Sequence, residues 1–258
     1  MTKELKQKLI ALADKYETKE FYNGDPSQFL LRYGRDDVCN TEAAAFIAAM
    51  LSFGSRSQFI PKINQILTIA ESQSGTVSSW LKSGSFRIGF PCGEKKFYRF
   101  YSYDDMQIFF EELSEVLCSA KTFGDFFRKL YEENSCKKET LSCCGSLLAG
   151  LISDAFKKSA IVPKGKTSAN KRIHMFLRWM VRQNSPVDVG FWNWGDPSKL
   201  IIPLDIHVLQ EAVKLELIPE GSAASFKTAR TLTQIMNQVF PGDPSRADFA
   251  LFGLGVDK

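Results

Sequence analysis

Lys171-Arg172-Ile173-His174-Met175-Phe176-Leu177-Arg178-Trp179-Met180-Val181-Arg182 decides the fold class of this 258-residue chain. Ile173, Phe176, Leu177, Met180 and Val181 fall at i, i+3, i+4, i+7 and i+8, the spacing of one face of an α-helix. Ser168 reads as the N-cap, which sets Lys171 in the first turn. The positive end of the helix dipole opposes a cation there, and a lysine that attacks carbon reacts as the free amine. A plainer reading stays open beside that one: a surface lysine that solvates the helix end or touches a phosphate.

Downstream, Pro203-Leu204-Asp205-Ile206-His207-Val208 opens a second helix expected to reach about Leu217. Asp205 stands at its N-cap, and capping alone explains an aspartate there. The same carboxylate, stabilised as an anion by backbone N–H groups, suits a second task. It can offset positive charge developing on a sugar as an N-glycosidic bond breaks.

Helical patterning continues outward. Asn40-Thr41-Glu42 is a polar start to an apolar run, Ala43 to Phe53, that predicts a buried central helix stopping at Gly54. Further helices are expected over 59–72, 103–118, 121–133 and 139–159. Phe86 to Tyr101 reads as a short hairpin or ordered loop, with Cys92-Gly93-Glu94-Lys95 between its two arms. Asp-Pro-Ser recurs at Asp25, Asp196 and Asp243, three helix starts in one local chemistry. The expectation is all-α, as one unit over residues 1–258 with two closely packed helical lobes and a central cleft.

Composition narrows the class. Hydrophobic residues make up 44% and charged ones 24%, an ordinary globular balance. The net charge of +4 permits a nucleic-acid partner without demanding one. Six cysteines, Cys39, Cys92, Cys118, Cys136, Cys143 and Cys144, form no C-x-x-C pair, and the only histidines are His174 and His207. No zinc site, other metal or cofactor is expected, and the thiols read as free in a reducing cytoplasm. Met1 to Lys6 opens an amphipathic helix rather than a signal peptide, and no apolar run reaches membrane-spanning length.

These elements carry a resemblance. Leu204-Asp205-Ile206-His207-Val208 resembles the V-D-T-H-V element of the helix-hairpin-helix (HhH-GPD) DNA glycosylases, whose aspartate is catalytic. Asn170-Lys171-Arg172-Ile173 resembles the placement of the lysine in their bifunctional glycosylase/lyases. Ala43 to Ser52 is similar to the early helix of that superfamily, and Asp248 to Gly255 to its terminal helix. The chain-long similarity is to a bacterial family, DUF2400, which carries K-R-x-x-x-F-L-R-W-M-V-R and a later I-P-L-D-x-H. The chain departs from the superfamily pattern in three ways. Only Pro163-Lys164-Gly165 stands where a hairpin L-P-G-V-G is usual, and Lys171 and Asp205 lie 34 positions apart, with extra residues over 183–202. The four-cysteine iron–sulfur motif is missing. A modified hairpin and a long insert make archaeal 8-oxoguanine glycosylases a nearer analogy than endonuclease III.

The resemblance implies a two-lobed DNA glycosylase-like fold with a divergent hairpin, and a monomer acting on damaged duplex DNA. It implies excision of oxidised purines such as 8-oxoguanine, with Lys171 as nucleophile and Asp205 as its electrostatic and acid–base partner. Trp192, Trp194, Phe53 and His207 are the candidates for an extruded base to meet; core packing is an equal reading for the tryptophans. Lys164, Gly165, Lys166, Arg172, Arg178 and Arg56 are the candidates for the DNA backbone, with Arg182 beside them. His174 and His207 read as structural polar contacts. Two alternatives stand: a non-catalytic nucleic-acid-binding protein on the same scaffold, and a helical protein-interaction scaffold.

Overall fold

The computed structural model describes residues 1–135 and 144–256. Its helices are α1 (Lys3–Tyr16), α2 (Val38–Leu51), α3 (Arg56–Ser74), α4 (Val77–Lys82), α5 (Phe86–Gly89), α6 (Tyr103–Ser119) and α7 (Phe123–Ser135). After these come α8 (Cys144–Ala155), α9 (Lys171–Val181), α10 (Ile206–Lys214), α11 (Phe226–Met236) and α12 (Ala247–Val256). One antiparallel pair, β1 (Lys96–Tyr98) with β2 (Tyr101–Ser102), is the only sheet among the described residues. The chain is therefore all-α, and among the described residues no helix is long and apolar enough to cross a membrane. Cys136, Cys143 and the opening of the helix expected over 139–159 lie outside the described residues.

The chain forms two compact units. One comprises Gly24–Thr140 with Gly150–Pro163; the other comprises Met1–Asn23, Leu141–Ala149 and Lys164–Lys258. In the first, α2 is the axis, buried from Asn40 through Leu51. It begins earlier than its polar residues suggest, with Asp37 accepting the Asn40 amide at 3.3 Å. Those polar residues then serve neighbouring helices. Asn40 Oδ1 accepts the Ser78 amide of α4 at 2.8 Å, and Glu42 Oε2 accepts the Gly124 amide of α7 at 3.1 Å. Glu112 of α6 accepts the amides of Lys158 and Ser159 at 2.8 and 2.9 Å. The amides of Ser78 and Gly124, at helix starts, have no intrahelical acceptor, so Asn40 and Glu42 supply what water cannot.

The hairpin turns at Arg99-Phe100, with Arg99 in the left-handed region (φ 51°), and not at Cys92–Lys95 as the sequence suggests. The reason is the capping box of α6. Ser102 and Asp105 bond reciprocally, and neighbouring Asp104 accepts the Gly93 amide at 2.8 Å, tying 92–95 to the helix start. The Asp-Pro-Ser triplets open 3-10 turns rather than α-helices. Asp25 and Asp196 each accept the amide two residues on, at 2.9 Å; Asp243 instead faces Arg182.

In the second unit α9 is buried along its whole length from Ile173, not on one face only. Leu9 and Ala13 of α1, Val208 and Ala212 of α10, Leu232 of α11 and Ala250 of α12 share an adjoining apolar core. Arg178 of α9 and Arg182, which caps its end, are matched by carboxylates from outside the helix. Arg178 binds Asp188 at 3.3 Å and also Asp248; Arg182 binds Asp188, Asp243 at 2.8 Å and Glu17 at 2.7 Å. Arg246 continues the network to Glu17 and Asp14, both at 2.6 Å. Burial opposes charge on Glu17, but Arg182, Arg246 and Ser185 together outweigh it and hold its carboxyl below the usual range. The Arg178 guanidinium also lies over the Phe249 ring, 4.4 Å from its centroid.

Candidate active site

Lys171 is the first residue of α9, but Ser168 is not its cap. Asn170 holds that position in the left-handed region (φ 44°, ψ 42°), where asparagine is tolerated better than most residues. Its side chain caps nothing; Nδ2 donates back to Gly165 O at 3.0 Å. Ser168 Oγ accepts the Asn170 amide at 3.3 Å, a bond that falls on the residue ahead of α9 rather than inside the helix. The loop ahead of α9 is also fastened sideways to the start of α11. Phe226 donates its amide to Thr167 O at 2.8 Å, and Ser168 forms a β-bridge with Ser225.

Asp205 caps α10 as expected: Oδ1 accepts the Val208 amide at 2.9 Å. Its other oxygen, Oδ2, stands 3.6 Å from Lys171 Nζ, and each side chain is 33% exposed. Two helix starts thus meet at one ion pair. The α10 dipole favours the carboxylate; the α9 dipole disfavours the ammonium, and Asp205 offsets that. The pair is open enough to reach a ligand and fixed enough, through the cap, to hold its orientation.

The remaining candidates divide. Lys164, Gly165 and Lys166 are exposed on the loop before α9, Arg172 is half-buried beside Lys171, and His207 is exposed in the first turn of α10. Arg178 and Arg182 are removed from a DNA-facing role by burial, at 2% and 3% side-chain exposure, inside the ion network. Trp192 is 1% exposed and packs edge-on against Phe176, with Trp194 stacked on it at 5.2 Å. Their loop docks at the C-terminal end of α9. Trp192 donates its amide to Met180 O at 2.7 Å, and Val189 and Gly190 donate theirs to Trp179 O. At 1.5 Å per residue, that end lies roughly 13 Å along the helix from Lys171. The residues over 183–202 therefore finish the α9 carbonyls, and the Trp192 ring presents no open face to a base.

Phe53 and Arg56 belong to the other unit. Phe53 packs edge-on against Tyr98 at 5.0 Å and Tyr101 at 5.3 Å, with the Arg99 guanidinium 5.6 Å above it. Arg56 pairs with Asp25 at 3.2 Å.

His174, one turn after Lys171, is fully buried, stacked on Phe226 at 6.4 Å. Among the described residues neither ring nitrogen has a hydrogen-bond partner, which corrects the expectation of a polar contact. Burial pushes its pKa down to about 4, so the imidazole is neutral. Sequence reasoning also passed over α11. Ser225 as cap, with Ala229, Leu232 and Met236 at helical spacing behind it, was the available signal. On its outer side Lys227, Arg230, Thr231 and Gln234 line a pocket with Lys166 and Thr167. Among the described residues no group of three or more His, Cys, Asp or Glu is placed to hold a metal ion.

A family profile described as "Protein of unknown function (DUF2400)" matches residues 25–257. No curated protein and no solved structure matches the chain.

Proposed function

Because the chain belongs to the DUF2400 family, whose description assigns no activity, we propose a function from the site itself: a DNA glycosylase/AP lyase that excises oxidised purines such as 8-oxoguanine. The observation that carries this reading is the 3.6 Å approach of Lys171 Nζ to Asp205 Oδ2 at the starts of two helices. An amine beside a carboxylate whose orientation is set by a backbone bond is the equipment that Schiff-base chemistry at a sugar carbon needs.

The proposed steps give each of the two groups a role. Asp205 Oδ2 takes a proton from the Lys171 ammonium, and the free amine attacks C1′ of an extruded nucleotide. The new N–C bond forms as the glycosidic bond breaks, and the base leaves with the bonding pair and gains a proton. Asp205, returned to its anion, offsets positive charge on the sugar. Ring opening gives an iminium between Lys171 and C1′. Loss of a C2′ proton from that iminium expels the 3′-phosphate, the lyase step.

Borohydride tests the proposal, because hydride reduces the iminium to a stable secondary amine. Across duplexes carrying oxidised purines and abasic sites, the wild type is expected to give a covalent protein–DNA adduct that Lys171→Ala does not. A wild type that gives no adduct on any of them sinks the reading. The burial of Trp192 and Arg178 favours the alternative, a non-catalytic nucleic-acid-binding protein on this scaffold. That protein would bind DNA in a salt-dependent way and survive substitution of both Lys171 and Asp205.

A further inference from the structure

The outer side of α11 holds a pocket of about 430 Å³ that the chemistry at Lys171 does not use. Three cations reach it, Lys166 from the loop and Lys227 and Arg230 from the first turns of the helix. Lys227 and Arg230 are three positions apart, hence neighbours on one helical face. Among the described residues no carboxylate lines the pocket, and none of the three cations is paired with one. Thr167, Thr231 and Gln234 add neutral hydrogen-bonding side chains.

Cations gathered without counter-charges repel one another, at a cost that an anion would relieve. Elsewhere in this unit arginines are matched to acids: Arg178, Arg182 and Arg246 all face carboxylates. The pocket breaks that pattern. Its floor is also tied to the candidate active site, since Thr167 accepts the Phe226 amide and Ser168 bridges Ser225. Phe226 in turn stacks on His174, three residues after Lys171.

We infer that this pocket binds phosphate groups of a nucleic-acid strand, anchoring the DNA that Lys171 and Asp205 act upon. The inference rests on the function proposed above for its choice of strand, and on the pocket alone for its choice of phosphate. Long exposed cationic side chains around an open hollow suit a backbone passing outside the fold. Lys166, Lys227 and Arg230 then act on affinity, and Lys171 and Asp205 on chemistry.

The test separates the two. Lys227→Gln/Arg230→Gln changes exposed residues and is expected to keep the melting temperature. Its binding to a short duplex should show a log K against log salt slope shallower by about 2, one per lost phosphate contact. At saturating DNA it should still give the borohydride adduct. Lys3→Gln/Lys8→Gln removes equal charge from exposed positions of α1 and should leave the slope unaltered. An unchanged slope in the pocket variant overturns the inference even if the adduct forms, and so does an equal change in the α1 variant. A shallower slope in the pocket variant alone, with no adduct from any protein, upholds the anchor and removes the chemistry. Inorganic pyrophosphate provides the last arm: saturable binding of it in the pocket, without affinity for duplex DNA, overturns the assignment to a strand.

Discussion

Asp205 divides its carboxylate between two tasks: Oδ1 accepts the Val208 amide at 2.9 Å, and Oδ2 stands 3.6 Å from Lys171 Nζ. The helix cap thereby aims the second oxygen. Structural and chemical roles occupy different atoms of one group, so substitutions can take them apart.

Asp205→Asn keeps an oxygen for Val208 but loses the charge beside Lys171. Its stability should stay within about 0.5 kcal/mol of wild type, while Asp205→Ala, which also uncaps α10, should lose about 1 kcal/mol. Single-turnover excision should fall about 100-fold or more in both. Urea unfolding beside excision kinetics checks this; excision at the wild-type rate in Asp205→Asn would remove the carboxylate from the mechanism.

The pair itself should contribute little to folding. Both side chains are a third exposed, so solvent screens the attraction, and a double-mutant cycle between Lys171→Met and Asp205→Asn should give a coupling below about 1 kcal/mol. A coupling of several kcal/mol would mark the two residues as structural cement.

His174 predicts an acid-sensitive fold. Its pKa is about 4 when folded against an ordinary 6.5, so above pH 6.5 both states are neutral and no stability is lost. Between 6.5 and 4 the unfolded chain takes a proton that the buried ring refuses, and stability falls by about 3 kcal/mol at pH 4. Glu17 adds to this further down. Its carboxyl is lowered below 4.5, so the stability it contributes is whole above that value and is lost as pH falls below it. His174→Leu should flatten the upper limb alone and hold or raise neutral-pH stability, since two unmatched ring nitrogens go. Melting temperatures across pH 7 to 4 decide it; identical curves for both proteins would end the assignment.

Arg182→Met should cost about 3–5 kcal/mol, because Asp188 and Glu17 keep their burial and lose a shared cation. Calorimetry measures it. A loss under about 1 kcal/mol would show that the network is not carrying these charges.

The site was legible wherever its causes were local. The apolar spacing of α9 and the cap position of Asp205 are written within a dozen residues, and both are where the sequence puts them. What was not legible depended on distant partners. Arg178 reads as a surface cation until Asp188 and Asp248 are folded against it. Trp192 reads equally as a pocket or a core residue until its loop closes on the last carbonyls of α9. The left-handed Asn170 escaped because Ser168 is as good a capping residue, and the bond to Gly165 that favours the observed turn spans five positions.

The network that joins α1 to the far part of the chain sets a schedule for synthesis. Arg246 and Asp14 are 232 positions apart, and Gly253 of α12 lets that helix press against the ring of Tyr16. At 5–20 residues per second, α1 emerges roughly 10 to 50 s before the segment that covers it. For that interval Leu9 and Ala13 face water or a chaperone. The unit bearing Lys171 and Asp205 must therefore close late, after the whole of the other unit has been synthesised, so a stalled ribosome would leave one unit complete and the other unfinished.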